Sequence, residues 1–579
     1  MCMNDNPFNV RITTKQNSPK SNIEDTLENN FITRFCLNSK YISDGIGEEY
    51  MNWAAQNPVF ISAQTGTGKN TFIENTLIKY ASSIGEKVLI VTNRIANNLQ
   101  QKERIADISG CSEYLDDFTS RGLYKIENFK NVKIITYQKL ESYLENNQGL
   151  IKLENYHFVV MDEVHFFISD ALFNNKTGKI LKKSLLAFKN SVRIYMSATP
   201  DEILPVITQK ISDSINSHLY FIEYFEYYRR YGFLPIKSLL LYDFKRDYSY
   251  VNSKYFDSKD QIVDIIKKDN SDSKWLIFVA NKKCGEDIAN EIGKNAIFIT
   301  ANSKVSNGPD GKAYEEITKT EKFSNKVLIC TSVLDNGINF KDELLKNIII
   351  FTCDKTEFLQ MLGRKRRINN ENITLYICAR NISYFNEKLY VLRQQANAIN
   401  YYKNSPIDFT YQYNIGSSIG DVELFSGLFY IELIKNHFTI QVNELAQKKI
   451  ANDMNFYKNI IDKFKTNPKE AFILEQLSWM SLEKTYTPCS WVTYADSDKN
   501  KREFLEFLDN HCDVELSGKV LEEFQINFKV YVNKIYGKQP GDRSDRTNYK
   551  ATKMRSFFKT YSLNYIVQVK NKAYILKKV

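Results

Sequence analysis

Residues 58–71, with the sequence PVFISAQTGTGKNT, constrain this chain more than any other stretch. Val59 to Ile61 are apolar and partly β-branched, as in a short buried strand. A glycine-rich turn ending in Lys69 follows, and apolar residues then return at helical spacing. Strand, glycine-rich turn and helix together predict a phosphate-binding loop, because glycine lets backbone N–H groups point inward around a phosphate.

Lys69 would reach the β- and γ-phosphates of a bound nucleotide. The next position usually holds Ser or Thr, whose hydroxyl ligates magnesium, but here it is Asn70, with Thr71 following. An amide oxygen is an acceptable ligand for Mg²⁺, and Thr71 lies about 100° further round the helix. Asn70 is therefore the first candidate ligand from the loop. The predicted nucleotide-binding residues are Thr65, Gly66, Thr67, Gly68, Lys69, Asn70 and Thr71.

The composition narrows the class of protein. At 579 residues, the chain should form several domains. Its nine cysteines are scattered without a C-x-x-C pair, which favours neither a disulfide framework nor a zinc site. No apolar run suggests a signal peptide or a membrane span. We therefore expect a reduced, cytoplasmic protein without membrane contacts.

The positive charge is concentrated at the end of the chain. Residues 529–579 contain thirteen Lys or Arg and two Asp, a net charge of +11, whereas the rest of the chain nets −1. A basic end on a nearly neutral body indicates a polyanionic partner. A solvated, lysine-rich terminus is the plainer alternative.

Short apolar runs alternate with helical or loop segments from residue 58 onwards, which predicts an α/β fold with parallel strands. The runs before residue 200 are residues 59–61, 87–92, 132–136, 157–161 and 192–196. Ligands of such sheets bind at the carboxyl ends of the strands. There, Asp162 would hold Mg²⁺ and Glu163 would act as general base on an attacking water.

A second α/β block follows, with buried-type runs at 275–280, 296–300, 327–331, 348–351 and 375–379. It has no phosphate loop. It does carry QMLGRKRR at residues 360–367 on a predicted helix. Arg364 and Arg367 are three residues apart and would share one helix face. Because an arginine fork matches phosphate oxygens, both could reach a nucleotide held by the first block.

The ordered motifs A-x-T-G-x-G-K, D-E-x-H, S-A-T, T-x-x-x-x-x-G-x-N-F and Q-x-x-G-R-x-x-R resemble those of superfamily 2 helicases. The resemblance covers residues 55–385 and is closest in motif style to the D-E-x-H helicases of the flavivirus-protease type. It implies two tandem RecA-like domains that bind ATP and Mg²⁺ in the cleft between them.

The resemblance also implies roles for single residues. Gln360 and Arg364 would touch the γ-phosphate, with Arg367 as arginine finger. His165, Ser197 and Thr199 would couple hydrolysis to movement. Strand-end residues would contact nucleic acid, namely Arg94, Thr136, Thr331 and Asn339. The family commonly has glycine where this chain has Arg366, which crowds Arg367. Apart from the resemblance, residues 1–25 are predicted to be disordered and residues 26–56 to be helical. The candidate core or adenine-facing positions in this segment are Leu27, Phe31, Phe35, Tyr41, Ile46 and Trp53.

The remaining chain is predicted to be mainly helical, with residues 422–438 among the helices. Its last block suits a winged-helix domain, with a basic loop at 537–549, a helix at 550–561 and a terminal hairpin. Candidate nucleic-acid contacts there are Arg543, Arg546, Lys553 and Arg555. The predicted divisions are an N-terminal extension (1–56), a first RecA-like domain (57–215), a connecting segment (216–270), a second RecA-like domain (271–385), a helical domain (386–493) and a basic C-terminal domain (494–579).

We therefore expect an ATP-dependent helicase or translocase on nucleic acid, with single-stranded DNA favoured over RNA. Movement without unwinding is one alternative within this class. Another is a nucleotide-switched binding protein, such as an origin or replication-initiation factor, with little or no hydrolysis; Asn70 and Arg366 favour it. A third makes the last block a protein-docking module. Polarity, oligomeric state, protein partners and pathway stay open.

Overall fold

The computed structural model describes residues 32–93, 95–111, 125–153, 155–218, 237–331, 338–367, 371–413, 427–434, 437–492, 497–536, 549–561, 563–570 and 573–578. In this part of the chain, no helix is both long and apolar enough to cross a membrane. Two mainly parallel sheets dominate the architecture, and they confirm the prediction of tandem RecA-like domains followed by a largely helical region.

The first sheet has eight strands in the order β1-β8-β2-β7-β6-β3-β5-β4, and only the β4–β5 pair is antiparallel. Its central strands are fully buried, as the uninterrupted apolar runs predict. The strands are β1 (Ile32–Leu37), β2 (Val59–Ser62), β3 (Val88–Thr92), β4 (Asn128–Phe129), β5 (Val132–Thr136), β6 (Phe158–Met161), β7 (Val192–Ser197) and β8 (Leu239–Phe244).

Helices connect and cover these strands, which is how a parallel sheet returns the chain to its starting edge. The α-helices span Ile42–Ile46, Lys69–Phe72, Ile78–Ser83, Ile95–Ile108, Tyr137–Leu144, Asn147–Ile151, Phe166–Ser169, Thr177–Ala187 and Leu204–His218, with a π-helical turn at Ile73–Leu77.

The second sheet is wholly parallel, in the order β11-β12-β10-β13-β14-β9. Its strands are β9 (Val251–Phe256), β10 (Lys274–Phe278), β11 (Ala296–Ile299), β12 (Val327–Cys330), β13 (Leu345–Ile350) and β14 (Ile373–Cys378). Helices Lys259–Lys268, Lys282–Ile292, Pro309–Thr320 and Lys355–Leu362 accompany them.

The domain boundaries differ from the sequence-based division. The N-terminal extension was expected to be helical after a disordered start, yet β1 is a strand that pairs with β8 in the first sheet. The expected connecting segment is divided, because β8 belongs to the first sheet and β9 to the second. Strands at or near a sheet edge, such as these, have no motif of their own, and only their partners identify them.

The region after β14 contains helices Ile382–Asn404, Pro406–Tyr413, Glu444–Lys463 and Ala471–Trp479. The helix predicted at 422–438 is wrong: β15 (Phe429–Ile434) and β16 (His437–Val442) form an antiparallel pair. Short apolar runs fit either period, and here the backbone hydrogen bonds of the partner strand decide the outcome. The described apolar residues of this region pack into the cores of the two sheet domains. Leu392 and Leu445 pack in the core of the first domain, and Phe472 packs in that of the second.

The last unit contains helices Ser497–Asn510, Gly518–Tyr536 and Ala551–Thr560, and the strands β17 (Glu515–Leu516), β18 (Tyr565–Lys570) and β19 (Ala573–Lys578). The strand order is β17-β19-β18, all antiparallel. Helix, strand, two helices and a hairpin whose second strand pairs with the first strand form a winged-helix arrangement. Its own apolar core comprises residues between 504 and 576.

Candidate nucleotide site between the two domains

The phosphate loop joins β2 to the helix Lys69–Phe72. Gly66 (φ +90°) and Gly68 (φ +83°) both have left-handed backbone conformations. A residue with a Cβ would be strained in these conformations, whereas glycine is not. Lys69 is buried, and its Nζ donates a hydrogen bond to Ala63 O at 3.1 Å. The same Nζ lies 3.9 Å from Glu163 Oε1. The loop therefore directs a buried cation toward the carboxylates that follow β6.

A cavity of about 410 Å³ lies between this loop and the second domain. Residues from both domains line it, so a ligand here would contact both at once. They include Asn70, Asp162 and Glu163 from the first domain and Asn339, Arg364 and Arg366 from the second.

Asp162 and Glu163 end β6 and differ in ionisation. Burial, together with the neighbouring charge of Glu163, raises the pKa of Asp162 to about 7. Burial also opposes ionisation of Glu163, but the positive charges of Lys69, Arg364 and Arg366 favour the ionised form, and the pKa of Glu163 is lowered. Among the described residues, none donates a hydrogen bond to Glu163 Oε2. Its Oε2 is buried and lies 3.4 Å from His165 Nδ1. Glu163 thus lines the cavity as an ionised carboxylate.

Glu163 also has an uncommon backbone conformation, with φ +50°. The next amide, Val164 N, donates to Met196 O on the neighbouring strand β7 at 2.9 Å. A non-glycine residue in this region is strained, and the surrounding structure must hold it there. The turn places the Glu163 side chain at the cavity.

His165 joins the two domains. Its Nδ1 lies 3.0 Å from Ser197 Oγ, and its Nε2 lies 2.6 Å from Gln360 Nε2 of the second domain. Burial lowers the pKa of His165, so the ring is neutral at pH 7. If the Gln360 amide donates to Nε2, then Nδ1–H donates to Ser197 Oγ. Ser197 Oγ also accepts from Thr199 N at 3.0 Å, which links the S-A-T motif to the same ring.

The arginines of the second domain are placed differently from the sequence-based expectation. Arg364 and Arg366 line the phosphate-side cavity, whereas Arg367 lies over the ring of Tyr250, 4.4 Å from its centroid. Arg366 Nη1 lies 2.9 Å from the position that a Cβ on Gly66 would occupy. The guanidinium that covers the phosphate loop is therefore that of Arg366, and not the expected arginine finger Arg367.

Gly363 explains how the second domain approaches so closely. A Cβ on this residue would overlap Thr65 Oγ1 in the phosphate loop. Only glycine allows this contact between the two domains, so the motif glycine is required by geometry here.

The comparison with protein families agrees with this geometry. Residues 16–202 match the family model described as "Type III restriction enzyme, res subunit". The match spans the phosphate loop, the D-E-x-H turn and the S-A-T motif. The match agrees with the predicted resemblance to superfamily 2 helicases over the first domain. The prediction of an ATP-hydrolysing enzyme is confirmed with it. No curated protein sequence matches the chain.

Solved helicase structures are similar at low identity. The DEAD-box helicase Mss116 bound to single-stranded RNA has 16% identity, covers 62% of this chain and 79% of its own, and gives a TM-score of 0.41. Dbp5 of S. cerevisiae bound to RNA has 14% identity, coverages of 55% and 79%, and a TM-score of 0.37. The DExH-box NTPase HrpB of E. coli has 14% identity, coverages of 58% and 41%, and a TM-score of 0.37. Because these TM-scores are below 0.5, the likenesses carry no inference about activity.

The oxygen donors of the helicase core fit a magnesium ion. Asn70, Thr71 and Asp162 line one cavity, and Mg²⁺ prefers carboxylate and carbonyl oxygens. When bound beside a nucleotide, the ion would neutralise phosphate charge. The buried Asp162 carboxyl, whose pKa is raised in this structure, would be the ligand from β6, and Asn70 the one from the loop.

A second cavity of about 770 Å³ adjoins the phosphate loop on its other side. Tyr41 lines it, and among the described core or adenine-facing candidates it is the one at this position. The candidates Leu27 and Phe31 lie outside the described residues. Ile46 and Trp53 are buried in the core, and the ring of Phe35 stacks on Tyr242 at 4.8 Å. Tyr41 thus remains the aromatic candidate for a base contact.

The residues predicted to contact nucleic acid are scattered. Thr136 caps the helix Tyr137–Leu144 by accepting from Lys139 N at 3.2 Å, and Thr331 is half-buried at the end of β12. Asn339 lines the phosphate-side cavity instead of a nucleic-acid face. Arg555 Nε donates to Val567 O, and Lys553 Nζ lies over the Tyr549 ring. Three predicted contacts lie outside the described residues: Arg94, Arg543 and Arg546.

Two residues at the cavity were not found from the sequence. Glu74, in the π-helical turn after the loop, accepts from Arg104 Nε at 2.9 Å, and both line the phosphate-side cavity. Thirty residues separate them, and no motif connects them. The one sequence signal is the apolar helix pattern on which each lies, and that pattern does not reveal a contact between helices.

His165→Ala is expected to lower the kcat of ATP hydrolysis by about tenfold, because it removes the side chain that joins the S-A-T motif to Gln360. The dissociation constant of a fluorescent ATP analogue should change much less. Gln360→Ala should give a similar loss, and the double variant should lose no more than either single one. Additive losses would contradict a shared hydrogen bond.

Proposed function

We propose that this protein couples ATP hydrolysis to movement along nucleic acid, or to its unwinding, with single-stranded DNA as the favoured track. The observation that carries the proposal is the 2.6 Å contact between Gln360 and His165 beside Glu163. A group on the second domain that touches the catalytic turn of the first domain makes hydrolysis sensitive to domain closure.

Glu163 would accept the proton of the attacking water, because its pKa is lowered and its side chain lines the cavity. Lys69 and the arginines of the second domain would stabilise the charge on the transferred phosphoryl group. Repeated closure and opening of two domains that both grip a backbone would then displace the protein along a strand. Backbone contacts carry little sequence information, so we expect broad sequence tolerance.

ATP hydrolysis with Mg²⁺, measured with and without single-stranded DNA or single-stranded RNA, tests this proposal. Stimulation by one nucleic acid that is lost in Lys69→Ala would support a motor and identify its track. Contacts to the phosphate backbone are possible with either polymer, so both belong in the assay.

A nucleotide-switched binding protein is the second candidate. Asn70 in place of Ser or Thr favours it, since an altered magnesium ligand would slow turnover more than binding. Nucleotide-dependent binding to nucleic acid without hydrolysis would establish this candidate. Asn70→Ser or Asn70→Thr should then raise turnover.

The winged-helix unit is expected to add electrostatic affinity for nucleic acid. Deleting residues 493–579 removes this unit whole, since its core lies between residues 504 and 576. Binding should weaken. The slope of log K against log[salt] is negative, and its magnitude should decrease by about 0.7–0.9 for each lost phosphate contact. Lys559→Gln with Lys570→Gln, both exposed, should give a smaller change in the same direction without loss of fold. An unchanged affinity and slope would favour the protein-docking alternative.

A further inference from the structure

Lys449 is a buried cation shared by three carboxylates. It lies on the helix Glu444–Lys463, and its side chain is 7% exposed. Its Nζ lies 2.9 Å from Asp453 Oδ1, 3.2 Å from Glu202 Oε2 and 3.0 Å from Asp354 Oδ2. Asp453 is on the same helix, Glu202 belongs to the first RecA-like domain and Asp354 to the second. One ammonium group therefore binds both domains.

The two interdomain carboxylates lie next to the catalytic contacts. Glu202 follows Thr199 by three residues, and the Thr199 amide donates to Ser197 Oγ, which contacts His165. Asp354 caps the helix Lys355–Leu362, where its Oδ1 accepts from Glu357 N at 3.0 Å. That helix carries Gln360. The segment that carries Glu202 therefore contacts the His165 ring through Ser197 of the first domain. The helix that Asp354 caps contacts the same ring through Gln360 of the second domain.

The helix that carries Lys449 is anchored in both domains. Leu445 and Ile450 pack in the core of the first domain, and Ile460 packs in that of the second. Tyr457 is packed against both cores. Because the helix packs against both domains, Lys449 cannot move with one domain without losing contacts to the other.

The charges in this cluster are strongly coupled. Burial alone would lower the pKa of Lys449, but Asp354, Asp453 and Glu202 raise it well above its usual value. Burial raises the pKa of Asp453 to about 6. The lysine therefore stays charged at pH 7 and attracts the carboxylates of both domains.

We propose that Lys449 is a positioning residue for ATP hydrolysis, which sets Gln360 against His165 by holding Glu202 of the first domain and Asp354 of the second. This inference rests on the proposed function, since it assigns a role in turnover. Lys449 itself touches no reacting atom. Its charge fixes the separation of the two domains at the point where they meet the catalytic turn.

Lys449→Met is the first test, because it removes the charge and keeps the length of the side chain. We expect kcat to fall by up to about tenfold, no more than in His165→Ala, with little change in the dissociation constant of a fluorescent ATP analogue. Lys449→Arg should restore part of the activity. Lys448→Met, one residue away and half-buried, is the matched control and should keep the wild-type kcat. A wild-type kcat in Lys449→Met would overturn the proposal.

A double-mutant cycle separates positioning from general stability. In the His165→Ala background, Lys449→Met should have almost no further effect on kcat, because the contact it supports is already gone. An additive loss would overturn the proposal. If Lys449→Met does not fold, Glu202→Gln takes its place, since it leaves Lys449 with two carboxylate partners, Asp354 and Asp453, and should also be non-additive with His165→Ala. Absence of hydrolysis in the wild type would instead refute the proposed function.

Discussion

Glu163→Gln is expected to lower the kcat of ATP hydrolysis by about 10²–10⁴-fold while ATP binding is retained. The substitution keeps the shape of the side chain but removes the carboxylate that would accept a proton from water. In the folded protein this carboxylate is ionised, because Lys69 and Arg364 lower its pKa despite its burial. An amide at the same position has no comparable basicity.

The measurement is single-turnover hydrolysis of ATP beside equilibrium binding of a fluorescent ATP analogue. Glu103→Gln is the matched control, because it neutralises an exposed carboxylate of the same domain. A near-normal kcat in Glu163→Gln would exclude Glu163 as the general base. Loss of ATP binding together with turnover would instead indicate that the substitution disrupts the strained turn at φ +50°.

Arg366→Ala is expected to lower kcat by at least about 10³-fold if Arg366 serves as the arginine finger, because such a residue stabilises charge that develops on the phosphoryl group. Its guanidinium lies beside Gly66 of the phosphate loop, in the cavity that also contains Asp162 and Glu163. Burial lowers the pKa of Arg366 to about 10, so the group is still charged at pH 7. Arg366→Lys should recover only part of the loss, since lysine lacks the planar fork.

Arg367→Ala is the matched comparison. This arginine lies over the Tyr250 ring, and its removal should cost far less than that of Arg366. The kcat values of both variants would be compared at saturating ATP, with thermal melting curves as a check on folding. A larger loss in Arg367→Ala would restore the assignment implied by the motif spacing. It would also mean that the arginines exchange places when nucleotide binds.

Local sequence was sufficient to predict the phosphate loop and most strands of both sheets. Gly66, Gly68 and Lys69 are predictable because a tight backbone turn and a charge at a helix start depend on neighbours in the chain. The predicted strand runs lie within a few residues of the observed strands for the same reason. Apolar residues buried on both faces leave an uninterrupted pattern.

Long-range pairing was not predictable in this way. Strand β1 joins the first sheet only because β8, about 200 residues later, provides its hydrogen-bonding partner. The hairpin of β15 and β16 has a composition that also suits a helix, and its antiparallel pairing decides between the two. Each of these elements depends on backbone groups that are distant in sequence.

The sequence by itself determined that the protein has a nucleotide-binding core with D-E-x-H chemistry, since each motif is a local arrangement of backbone and side chain. Only the tertiary structure decided which arginine covers the phosphate loop, that Asn339 lines the cavity, and that Lys449 binds both domains. These features depend on the distance between two separately folded sheets. That distance is set by packing and by charges brought together from remote segments, such as Glu202 and Asp354.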